Sequence, residues 1–205
     1  FIDKCRVCGA SALTTLLQFG DHPLANGLKR AADEPERKYP LTLLFCGDCS
    51  LVQLRETVDK EILFKSYFWV TGTSAGARGF AQEFYATALR VAGLRPGATV
   101  FEIASNDGTF LKPFVAGGFK AIGFDPAVNV AEIANRDGVP TQARFWNPET
   151  ARAAVAEHGP ADFIFARNVV PHVSELHDVV SALAQALSEK GVGAIEFHYT
   201  ASILG

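Results

Sequence analysis

Two pairs of cysteines constrain this chain more than any other feature. Cys5 and Cys8 stand three positions apart, as do Cys46 and Cys49, and the sequence holds no other cysteine. The C-x2-C spacing lets two thiolates converge on one metal, and a second pair completes a tetrahedral all-thiolate shell. Cys5-Arg6-Val7-Cys8-Gly9 and Cys46-Gly47-Asp48-Cys49 both read as tight knuckles, with Gly9 and Gly47 expected to supply the backbone freedom. Zinc is the expected occupant. Four protein ligands leave no open coordination position, so the site reads as structural. Disulfides are disfavoured in a cytosolic protein, and a redox dithiol needs only one such pair. Pro23, Pro35 and Pro40 punctuate the stretch between the pairs, which predicts short strands and loops stapled by the metal.

The remaining composition narrows the class. The chain has 205 residues, 48% hydrophobic and 20% charged, with a formal net charge of -3. That is ordinary for a globular protein and leaves no basic patch for nucleic acid. No apolar run approaches the roughly 18–20 residues that span a bilayer, so no membrane partner is expected. The N-terminus lacks the charged and apolar regions of a signal peptide, which makes the cytoplasm the expected location. The sequence neither begins with methionine nor contains one, so its ends are not expected to be natural ends.

Beyond Cys49, residues 51–54 read as a short strand and the aromatic residues 65–74 as a connecting segment. Apolar residues recur at helical spacing over 75–92. From residue 98 strands and helices alternate. Strands are expected at 99–104, 120–124, 162–166 and 192–197, with a short one held within 139–145. Helices are expected at 109–115, strained by Pro113, and at 127–136, 148–157 and 174–187, the last with a serine cap. This alternation predicts a parallel α/β sheet, which binds ligands beyond the carboxyl ends of its strands. A small metal-bearing domain over 1–65 and a cofactor domain over 66–205 follow.

The turn after residue 103 carries most of the chemistry. Ala104, Asn106 and Gly108 are small or tolerant of left-handed backbone, so main-chain amides can approach a ligand closely. The helix that follows offers its positive end to an anion. Glu102 lies near the end of the preceding strand. Asp125, followed by Pro126, ends the next strand and can accept hydrogen bonds from both hydroxyls of a ribose. A nicotinamide cofactor would want G-x-G-x-x-G, of which this loop lacks two glycines. An acidic residue just before the turn is typical of methyltransferases and favours S-adenosylmethionine. The bland alternative is an ordinary turn with a capped carboxylate.

Three more stretches reach the same face. Asn168 and His172 follow the fourth strand of the α/β part, and His172 can titrate near neutral pH. Glu196 ends the fifth and is a candidate for substrate contact. Each reads equally well as a solvated loop or strand-end group. Tyr67 and Phe68 suit stacking on adenine or sugar, or burial in a core. His22, His158 and His177 read as loop or surface residues.

In combination these motifs resemble the sugar C-methyltransferases that act on nucleotide-linked 4-keto deoxysugars. The resemblance rests on the two knuckles, on Gly20-Asp21-His22-Pro23-Leu24-Ala25-Asn26, on the segment from Tyr67 to Ser74, on Glu102 to Leu111, and on Asn168 to His172. It implies a Rossmann-like class I methyltransferase sheet preceded by the zinc domain, with two strands beyond the fifth. The sequence ends at Gly205, so a C-terminal part is expected to be absent. The resemblance also implies a mechanism in which a base removes a proton beside the sugar ketone and the enolate attacks the cofactor methyl group. The family's proposed base is a histidine beyond the fifth strand. His172 and Glu196 are the catalytic candidates here. Tyr67, Ser74, Glu102, Ala104, Asn106, Gly108, Asp125, Pro126 and Asn168 are the cofactor candidates, and Ala104 departs from the family's usual glycine. The expected partner is a small molecule, a nucleotide sugar. The competing readings are a nicotinamide-dependent sugar enzyme, which the missing Tyr-x3-Lys pair opposes, and a non-catalytic zinc and cofactor module.

Overall fold

The computed structural model describes residues 1–29, 31–199 and 202. Contacts divide the chain into two units. One comprises Phe1–Leu63 with Ser174–Leu176, the other Phe64–Val173 with His177–Gly205.

The first unit is an antiparallel sheet in the order β1-β2-β3, formed by β1 (Leu13–Pro23), β2 (Lys38–Cys46) and β3 (Val52–Leu54). The expectation of short strands here is corrected. Leu13 pairs with Cys46 and Pro23 with Lys38, so the first two strands run long, with two register irregularities. Pro23 and Pro40 are tolerated because β1 ends at Pro23 and β1–β2 pairing is bulged nearby. The buried residues of this unit include Cys5, Cys46, Thr42, Leu44 and Gln53, a small core centred on the cysteines. A short helix, α1 (Lys60–Phe64), follows.

The second unit opens with α2 (Ala75–Ala92), whose N-cap is Ser74 accepting from the Ala77 N–H. Then come β4 (Thr99–Ile103), α3 (Lys112–Ala116), β5 (Lys120–Phe124), α4 (Val128–Arg136), β6 (Thr141–Gln142), α5 (Pro148–His158), β7 (Ala161–Arg167), α6 (Leu176–Ala186) and β8 (Leu187–Glu196). All pairings are parallel and the strand order is β6-β5-β4-β7-β8. Every residue of β4 is buried, as a central strand covered on both faces requires. One face packs Phe110, Phe114, Phe163 and Phe165; the other packs Phe101, Phe124 and Trp146. Edge-on and stacked ring pairs, such as Phe124–Trp146 at 4.9 Å and Phe114–Phe165 at 5.6 Å, fill both layers.

Several boundaries differ from the sequence reading. Pro113 does not strain its helix. It stands in the first turn of α3, where the missing N–H has no partner to lose. The third strand is short, as expected: two residues within 139–145. Strand β8 starts at Leu187 and absorbs a register shift before Val192. His158 is no loop residue: it ends α5, its ring edge-on to Phe101 with the centroids 6.3 Å apart. His22 lies on β1, its Nε2 2.9 Å from the Phe19 carbonyl oxygen.

Candidate metal and cofactor sites

The metal site is built by two matched knuckles. The Gly9 N–H donates to the Cys5 carbonyl at 3.0 Å, and the Ser50 N–H donates to the Cys46 carbonyl at 2.9 Å. Gly9 (φ 74°) and Ser50 (φ 63°) both take the left-handed conformation. This corrects the expectation for Gly47; the equivalent turn position in the second knuckle is Ser50. The four Sγ atoms all lie within 4.8 Å of one another, with Cys5–Cys49 and Cys8–Cys46 at 3.6 Å. A disulfide would need about 2.05 Å. Tetrahedral zinc at about 2.3 Å from each sulfur implies sulfur separations of about 3.8 Å, so the residues fit zinc and would hold it as a closed structural site. Buried Gln53 accepts from the Arg6 N–H at 3.0 Å behind the first knuckle.

The second site follows from register. Ile103 pairs with Phe124 and with Ala166, and Arg167 pairs with Glu196. The carboxyl ends of four strands therefore stand level, with the loop 104–108 at the central one. Chain order reverses between β4 and β7, the position where open α/β sheets bind ligands. A groove of about 300 Å³ lies at the opposite strand ends, by Gly93, Pro96, Asp162 and Lys190. Its half-buried carboxylate is already engaged, since Asp162 accepts from the Thr99 N–H.

The loop itself winds through three left-handed residues, Ala104 (φ 56°), Asn106 (φ 52°) and Gly108 (φ 75°). A Cβ on Gly108 would stand 2.7 Å from a Val139 methyl, so only glycine fits there. Asp125 is 6% exposed. Its Oδ2 accepts from the Asn106 N–H at 2.7 Å and its Oδ1 from the Ala127 N–H at 2.8 Å. Burial raises its pKa, against these two main-chain bonds. Pro126 separates Asp125 from that second donor.

Glu102 is 3% exposed, and its Oε2 has no hydrogen-bond partner among the described residues. Burial pushes its pKa well up; Arg167 opposes this, and the charges of Asp125 and Asp107 reinforce it. An orphaned buried carboxyl oxygen under a loop of this shape suits a ligand carrying a cationic or N–H donor group. S-adenosylmethionine, with its ammonium and ribose, fits a set in which Glu102 and Asp125 receive those two parts.

Arg167 was not singled out by sequence. Its guanidinium lies 3.3 Å from the Phe110 ring centroid and grips Glu196 with two bonds, of 3.1 and 2.8 Å. Asn168, also left-handed, donates to Glu196 Oε1 at 3.3 Å, and its N–H donates to the Glu196 carbonyl. Glu196 is thus held as an ion-pair partner. His172 stands on a short turn, Val170–His172, and is exposed. Partial burial, and then the nearby His198, lower its pKa.

The connecting segment meets the loop as well. Asn106 and Asp107 bind the main chain of residues 69–72, and Asn129 binds that of Tyr67. Sequence gave no sign of these partnerships, because they join side chains to main-chain atoms 35 to 62 positions away.

The sheet order, the left-handed loop and its flanking carboxylates define the cofactor domain of a class I methyltransferase, joined to a zinc-binding domain. The chain belongs to the methyltransferase domain family, whose model matches residues 77–202, and a zinc binding domain model matches residues 5–64. The C-methyltransferase NovU of Streptomyces niveus is 30% identical over 205 residues, covering 99% of this chain and 49% of that protein. The chain thus spans about half the length of this curated relative. Among solved structures, similarity extends to magnesium protoporphyrin IX methyltransferase (ChlM) from Synechocystis PCC 6803 with bound SAM, at 18% identity, 55% of each chain and a TM-score of 0.45. It extends also to the plantazolicin methyltransferase BpumL in complex with a pentazolic desmethylPZN analog and SAH, at 13% identity, 61% of this chain, 49% of that chain and a TM-score of 0.49. Among the described residues no helix is long and apolar enough to cross a membrane.

Proposed function

We propose that this chain is the zinc- and cofactor-binding part of an S-adenosylmethionine-dependent C-methyltransferase whose substrate is a nucleotide-linked deoxysugar. The observation that carries the reading is the orphaned, buried Glu102 oxygen beneath the left-handed loop. The similarity to a C-methyltransferase along the whole of this chain supports the reaction class. When bound, S-adenosylmethionine supplies an electrophilic methyl group.

The chain's residues then divide the labour. Glu102 receives the ammonium group and Asp125 the ribose hydroxyls. Ala104, Asn106 and Gly108 shape the loop, Ser74 caps the helix behind it, and Tyr67 and Asn168 border it. His172, with its lowered pKa, is neutral at pH 7 and positioned to hold or move a proton on the substrate side. Held by Glu102 and Asp125, the cofactor would supply the methyl group to the carbon beside the ketone once a base has taken that carbon's proton; the methyl–sulfur bond would break as the carbon–carbon bond forms, leaving S-adenosylhomocysteine. Glu196, bound to Arg167 and Asn168, orients its neighbours rather than serving as the base. The protein is expected to work in the cytoplasm.

The test uses the full-length protein with a nucleotide-linked 4-keto-6-deoxysugar in deuterated water. Without S-adenosylmethionine, one deuterium should wash into the carbon beside the ketone. With it, that same carbon should gain a methyl group. Methyl transfer to oxygen or nitrogen, with no wash-in, would overturn the reading.

A further inference from the structure

Six consecutive residues of the second unit, 67–72, run into a single 3-10 turn at Thr71–Thr73 and are gripped by side chains along their length. Asn106 Nδ2 donates to the Trp69 carbonyl at 2.9 Å, and its Oδ1 accepts from the Thr71 N–H at 2.9 Å. Asp107 Oδ2 accepts from the Gly72 N–H at 2.8 Å, and Arg78 donates to the Gly72 carbonyl. At the other end Asn129, on the first turn of α4, accepts from the Tyr67 N–H at 3.0 Å and donates to the Tyr67 carbonyl at 2.7 Å. A carboxamide that satisfies both main-chain groups of one residue mimics a neighbouring strand and fixes that residue's orientation. The approach is close at Gly72, where a Cβ would stand 2.6 Å from Asp107 Oδ2.

Between the two carboxamides lie Phe68 and Trp69, 50% and 48% exposed. Large apolar side chains kept at the surface by a specifically anchored segment mark a ligand contact more than a core. The anchors are the ligand loop itself and the helix that follows Asp125.

We infer that residues 67–72 form a strap over the carboxyl ends of β4 and β5, latched by Asn106 and Asn129, and that Asn129 is a positioning residue for a nucleoside-bearing ligand held there. The inference rests on the reading of the 104–108 loop as the cofactor site. Losing both Asn129 bonds loosens the Tyr67 end of the strap, while Asn106 and Asp107 still hold the other end, and weakens such a ligand by about tenfold.

The experiment titrates the zinc-loaded chain with S-adenosylhomocysteine by calorimetry and measures acrylamide quenching of tryptophan fluorescence. The chain has two tryptophans, and Trp146 is 6% exposed, so quenching reports Trp69. Asn129→Ala should bind about tenfold more weakly and quench more readily, with a parental melting temperature. Asn129→Asp keeps the acceptor for the Tyr67 N–H and loses the donor, so it should fall between. It also serves as the test should the alanine variant fold poorly. Parental affinity in Asn129→Ala, or weakened affinity with unchanged quenching, would overturn the strap while leaving the cofactor reading intact. A parent chain that does not bind S-adenosylhomocysteine would remove the cofactor reading and the strap's role together.

Discussion

Glu102 sets the charge balance of the loop. Its pKa is raised by burial, so between the ordinary glutamate value of 4.5 and the raised one the folded chain holds a proton that the unfolded chain has lost. Stability contributed by that proton is present below pH 4.5 and is lost as pH rises through the raised value. Glu102→Gln keeps a neutral group at all pH values. Its melting temperature relative to the parent's should rise as pH climbs above 4.5; a difference that stays constant as pH climbs would show that burial does not raise the Glu102 pKa. Backbone strain is legible at the same scale. Ala104 holds a left-handed conformation that costs a non-glycine residue about 1–2 kcal/mol, so Ala104→Gly should stabilise the chain by roughly 1 kcal/mol in urea. Gly108→Ala meets both a positive φ and Val139, and should destabilise it by about 2–4 kcal/mol.

At the scale of elements, the zinc knuckles and the strand-turn-helix of the loop were readable because their signals are local. C-x2-C spacing and the run of residues ending a buried strand each lie within ten positions. The long β1–β2 hairpin was not readable. Its prolines read as breaks, whereas β1 closes at Pro23 and bulged pairing accommodates Pro40. Arg167 was missed because its partners meet only in the folded chain: Glu196 through sheet register, Phe80 and Phe84 from α2, and Phe110 from the turn before α3. Asn129 was missed because it reads main-chain atoms, which carry no residue signature. The first unit has little core beyond its cysteines, so its order is tied to the metal. Chelation should release one zinc per chain and expose the amides of β1 and β2 to hydrogen exchange, while those of β4 and β7 stay protected. Continued protection of β1 and β2 after zinc loss would contradict a structural role.

At the scale of the whole molecule, one chain carries a closed metal site, which does no chemistry, and a sheet whose level carboxyl ends present the buried carboxylates Glu102 and Asp125. The central claim is that those carboxylates and their loop bind S-adenosylmethionine. The direct measurement is calorimetric titration of the zinc-loaded chain and of Asp125→Ala with S-adenosylhomocysteine, with NADH as the comparison ligand. The parent should bind S-adenosylhomocysteine with one site per chain and ignore NADH. Asp125→Ala should bind about a hundredfold more weakly, since it loses two charge-assisted bonds to the ribose. Equal affinity of the two chains for S-adenosylhomocysteine, or binding of NADH in its place, would contradict that claim.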